Sequence, residues 1–169
     1  RAVLTGGGPG AMEAANLGAY LAGYPAPVID EACALLAEVP SFRPSVDAWG
    51  RQAFAVRERW PVDDAGIVSL GIPTWFYGHE PPNAFATKVA KLFSNALRED
   101  ALLQRCRGAI VYLPGAAGTV QEIFQAVTGN YYAADDRLVA PLVLVGHEYW
   151  TRTLPAWPLL KALGKGRTM

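Results

Sequence analysis

A chain of 169 residues with 51 % hydrophobic and 18 % charged side chains is long enough for one domain that buries roughly two thirds of its unfolded surface. Its 15 basic and 15 acidic residues cancel, and an isoelectric point near 6.9 provides no global field to attract nucleic acid or an anionic membrane, so the expected ligand is small. A mean hydropathy of +0.14 is on the apolar side for a soluble monomer and predicts a buried subunit interface, with a homodimer expected.

The two cysteines, Cys33 and Cys106, have neither metal nor redox spacing and are expected to be reduced core thiols. The longest apolar run, around residues 138–146, contains a proline and is too short to cross a bilayer. No signal peptide is visible, which predicts a cytoplasmic protein.

Residues 2–5 read as a buried strand and Gly6-Gly7-Gly8-Pro9-Gly10 as its loop. An alanine-rich helix over 12–22 follows, ended by Gly23. Gly6, Gly8 and Ala11 fit a weak form of the dinucleotide fingerprint. The acidic residue that fingerprint requires would be Asp30, which follows Tyr24-Pro25-Ala26-Pro27 instead of a strand end. Asp30 has a simpler reading as the N-cap of a helix over 31–38. Residues 39–64 alternate prolines with an amphipathic piece, 46–60, and read as an inserted helical segment of the single domain. Short β-prone runs at 67–70 and 74–77 are split by Gly71 and Pro73 and lead into Gly78-His79-Glu80-Pro81-Pro82-Asn83. Asn83 is expected to cap the longest helix, over 84–104. Its apolar positions Phe85, Val89, Leu92, Phe93, Ala96 and Leu97 recur at three and four residues, and it is expected to cross the sheet.

Residues 108–113 form the next strand, Pro114-Gly115-Ala116-Ala117-Gly118-Thr119 the second small-residue loop, and 120–127 the start of a helix. After Tyr131-Tyr132 and a polar turn at Asp135, Asp136 and Arg137, residues 138–145 read as a strand and 147–169 as a closing helix with Trp150, Leu154, Trp157, Leu159 and Leu160. Strands alternating with helices define an α/β fold with a mainly parallel sheet covered on both faces. A helix starting directly after a strand and a small-residue loop offers unpaired N–H groups and the positive end of its dipole to an anion, most often a phosphate. Two such loops point to a nucleotide site.

Glu122 has two readings. It completes a Thr119-x-x-Glu122 capping box, or it is an acid near the anion loop facing the sugar of a nucleotide. Arg98 reads more simply as a surface charge paired with Glu99 or Asp100. His79 and His147 each precede a glutamate, but neither has the second histidine of a zinc helix. None of the four lysines sits in a Schiff-base setting. No metal or cofactor is expected.

GGGPGAMEAANLGA together with PGAAGTVQE resembles the LOG family, the nucleoside 5′-monophosphate phosphoribohydrolases whose bacterial members are often labelled lysine decarboxylases. The likeness runs from the first strand to about Val145. It implies a Rossmann-like three-layer sandwich whose first strand and glycine-serine loop would precede Arg1. It also implies hydrolysis of an N-glycosidic bond to free base and ribose 5-phosphate. By the family pattern Glu122 is the catalytic glutamate, and Arg98, with one residue inserted before Pro114, the catalytic arginine. Gly6, Gly7, Gly8 and Gly10 fall on the first phosphate loop, and Gly115, Gly118 and Thr119 on the second, while Asn83 resembles the family's binding-site asparagine. Ala116 stands where the family has a glycine, which keeps open a nucleotide-binding module without turnover.

Overall fold

The computed structural model describes residues 2–63, 68–75 and 80–166. The expectations at Arg1, Asp64, Ile67, 76–79 with His79, and 167–169 lie outside the described residues. The chain divides into two compact units, Arg1–Arg98 and Glu99–Met169.

In the first unit, β1 (Ala2–Thr5) is followed by α1 (Ala11–Tyr20), α2 (Pro27–Leu36) and α3 (Val46–Arg59), then β2 (Val68–Gly71) and β3 (Lys88–Val89). The strands form a parallel sheet in the order β1-β2-β3, with Ala2 opposite Val68 and Leu70 opposite Lys88. α1 packs across β1 and β2, and α2 packs on α3. Leu17, Tyr20 and Leu21 meet Ala32, Ala53, Val56, Trp60 and Phe85 in one core. The segment over 39–64 therefore supplies core side chains, and α3 is capped by the Ser45 hydroxyl, which accepts from the Ala48 N–H at 3.1 Å.

In the second unit, β4 (Ile110–Tyr112) leads through the second loop into α5 (Ala117–Tyr131), and β5 (Leu142–Leu144) pairs in parallel with β4. α6 (Ala156–Leu163) closes it after a single wide turn at Tyr149–Thr153. Tyr112, Ile123, Val127, Trp150, Ala156 and Leu160 form its core. Parallel strands alternating with helices in both units give the Rossmann-like α/β class the sequence predicts.

Three expectations are corrected. No helix spans 84–94: residues 87–92 run along β2 instead, with the N–H groups of Thr87, Ala90 and Leu92 donating to the carbonyls of Ser69, Gly71 and Pro73. α4 covers only Asn95–Leu103, and the longest described helix is α5 with 15 residues. Carbonyls on the side of β2 would be left unpaired by a helix there, and satisfying them outweighs the periodic apolar spacing. Asp30 does not cap α2. Pro27 sits in the first turn, where its fixed φ and missing N–H cost nothing, so the helix starts earlier and Asp30 lies within its first turn. The cysteines are not core thiols, since Cys33 is exposed on α2, whose buried residue is Ala32, and Cys106 is half-buried.

Candidate functional site

Each unit carries one of the two small-residue loops at the carboxyl end of a parallel strand, where α/β sheets bind ligands. In the first unit the loop leaves β1 at Thr5 and turns at Gly7, whose φ of +75° favours glycine. Space makes the same demand, because a Cβ on Gly7 would lie 3.1 Å from Pro73 Cδ and 3.3 Å from Gly71 Cα. Gly6 is held open for two other side chains: its Cβ would stand 2.8 Å from Met12 Sδ and 3.1 Å from Arg98 Nη1.

Arg98 is thus not the surface charge that was the simpler reading. It is only 7 % exposed, its guanidinium lies against the first loop, and its Nη2 donates to Asn95 Oδ1 at 2.7 Å. The absence of a side chain at Gly6 admits it. Of the two acids next to it in sequence, Glu99 accepts from Gln121 Nε2 at 2.6 Å and Asp100 from Gln125 Nε2.

Asn83 is expected as a helix cap and, by the family likeness, as a nucleotide ligand. It caps no helix, because none begins there. Its backbone N–H donates to Gly7 O at 2.8 Å and its amide to Gly8 O at 2.9 Å, while its Oδ1 accepts from Phe85 N–H. It holds the loop from the buried side. Glu13, in the first turn of α1, has its carboxyl pushed up by burial, which outweighs the hydrogen bond from Gly10.

In the second unit α5 starts at Ala117 with Ala116 as its N-cap and no side-chain cap. The capping-box reading of Glu122 is therefore overturned. Thr119 is already inside the first turn, so Glu122 is too far along the helix to reach back to a cap at Thr119. The first N–H groups of α5 are left to face solvent or an anion. Gly115 is tied at both sides: its carbonyl accepts from Tyr149 Oη at 2.6 Å, and a Cβ on it would lie 2.8 Å from Thr119 Cβ. Ala116 has φ −99°, a conformation that needs no glycine. Half-buried Glu122 has Tyr112 beneath it, whose hydroxyl donates to the Glu122 carbonyl oxygen at 3.2 Å. Burial first, then the Glu122 and Cys106 charges, push the Tyr112 hydroxyl far up, so it remains a donor. Burial likewise raises the Cys106 thiol, which makes it a poor nucleophile.

Sequence reasoning missed Asn16, Thr5, Ser69 and Tyr149. Asn16 left a signal: an asparagine is a weak helix former, and this one shares a helical face with Tyr20, a core residue.

By class this is a parallel α/β protein with a small-residue loop before the first helix N-terminus of each sheet. Residues 55–161, more than half of the chain, match the family model described as "Possible lysine decarboxylase", and the chain belongs to this family, the LOG family. The matched span contains Asn83, Arg98 and Glu122 and leaves the first loop outside it. No curated protein matches the chain.

Proposed function

We propose that this protein hydrolyses the N-glycosidic bond of a nucleoside 5′-monophosphate of the AMP type and works as a homodimer. The reaction breaks the bond from C1′ to the base nitrogen, the base leaves with the electron pair and takes up a proton, and a water oxygen bonds to C1′. Each unit by itself offers a phosphate holder, the glycine loop at Gly6–Gly10 in the first and the N–H groups at Gly118 and Thr119 in the second, and remote binding energy of this kind positions the ribose. Arg98, a permanent cation, neutralises the anion at the first loop. The Glu122 carboxylate stabilises oxocarbenium-like charge at C1′ or orients the water, as carboxylates do in glycoside hydrolysis.

The observation that carries this reading is the place of Arg98, whose guanidinium lies against Gly6 of the first glycine loop, where a permanent cation is at hand for an anion held by that loop. Family membership supports it. A panel of nucleoside monophosphates incubated with the protein is expected to release free base, detected by chromatography. AMP is also expected to raise the melting temperature, as a ligand of the folded state does by mass action. If no monophosphate in the panel releases base, the hydrolase reading fails.

A further inference from the structure

Under the first loop runs a buried polar network that the hydrolase reading does not use. At its centre is Asn16 on α1, 0 % exposed. Its Oδ1 accepts from Thr5 Oγ1 at 2.6 Å and from Asn83 Nδ2 at 3.0 Å, and its Nδ2 donates to Ser69 Oγ at 2.8 Å. The two residues that Asn16 orients are those that grip the loop. Thr5 Oγ1 accepts from the Gly7 N–H at 3.0 Å, and Asn83 donates to Gly7 O and Gly8 O. Two consecutive loop carbonyls are thereby turned onto a buried donor. Carbonyl oxygens carry partial negative charge, so a loop that receives an anion must hold them away from it.

We infer that Asn16 is a positioning residue for binding a phosphomonoester at the first loop. It touches no atom of the ligand, and it acts by keeping Thr5 on the Gly7 N–H and Asn83 on the Gly7 and Gly8 carbonyls. The inference rests on reading the loop as a phosphate holder. Only an asparagine or glutamine offers both the shared acceptor and the donor the network needs, and an aspartate would have no N–H for Ser69 and would bury a charge.

The test is calorimetric binding of ribose 5-phosphate and of adenosine to the full chain and to the Asn16→Asp and Thr5→Val variants. Thr5→Val keeps the side-chain shape and removes the link from Asn16 to the Gly7 N–H, so it reads the same network if Asn16→Asp fails to fold. The expected result is a loss of ribose 5-phosphate affinity of about tenfold or more, the equivalent of one hydrogen bond to a charged group, with adenosine affinity unchanged. Equal losses for both ligands, or no loss in a folded variant, would overturn the inference. A parent protein that binds ribose 5-phosphate and loses it in the variants, yet releases no base from any monophosphate, sustains the role of Asn16 while the hydrolase reading falls. A parent that does not bind ribose 5-phosphate overturns the role of Asn16 whatever its turnover.

Discussion

At Glu122 the structure separates two jobs that the sequence leaves tied. With α5 starting at Ala117, Glu122 lies beyond the capping positions of the helix, and Glu122→Gln, which keeps the size of the side chain, is expected to change stability by no more than about 1 kcal/mol. Turnover is expected to fall by roughly a hundredfold or more, as for removal of one preorganised charge, with AMP binding retained. Base release at near the parent rate would remove Glu122 from catalysis. Glu13 gives a prediction of opposite character. Its folded-state pKa is raised above the ordinary 4.5 by burial, so the folded form holds the proton more tightly. The stability it contributes is fully present below the unfolded pKa and is lost as pH rises through the folded value. Glu13→Gln removes that loss and can still accept from Gly10. Its melting temperature is expected to exceed the parent's at pH 7 and to converge on it below about pH 4.5. A difference that does not vary with pH would show that burial of the charge is not the cause.

Among the elements, those with strong local signals were legible in the chain: β1, α1, α3, β4 and α5 fall where apolar periodicity and small-residue loops put them. The stretch over 84–94 was not, because its fate is decided by carbonyls on β2, about 20 residues away in sequence, and no local pattern records their need for donors. Thr87 and Val89, two apart and β-branched, were the only strand signal there. The site divides the same way. The glycines and the pair Arg98 and Glu122 were readable from motif spacing, whereas the burial of Arg98 depends on Gly6, far off in sequence. The second loop yields a prediction at this scale. A methyl group at Gly115 would meet Thr119 in the first turn of α5, so Gly115→Ala is expected to cost about 1–3 kcal/mol by overpacking. Adding Thr119→Ala should recover part of that cost, and urea denaturation of the four proteins measures the coupling. Strictly additive costs would mean that the two residues do not compete for the same space.

For the whole molecule the open property is assembly, and the reason to expect a homodimer is sharper than composition. The helix anticipated over 84–104 is confined to Asn95–Leu103, and while Phe85 is buried, other apolar side chains of the span are exposed: Phe93 is 69 % exposed, Leu97 65 % and Val89 57 %. Trp75, 54 % exposed, stacks on Phe93 with ring centroids 5.7 Å apart and carries the Lys91 ammonium 3.8 Å from its ring centroid. The stacked, exposed pair of Trp75 and Phe93 in the first unit is the kind of apolar surface that a subunit contact covers. A second copy suits this surface because the chain has formal net charge +0, so two copies meet without net repulsion. Light scattering at micromolar concentration is expected to return twice the 18.1 kDa chain mass. Phe93→Glu should return the monomer, because it buries a charge at the contact without touching either core. A parent that scatters as a monomer rules out the dimer. A dimer that survives Phe93→Glu unchanged rules out this surface as its contact.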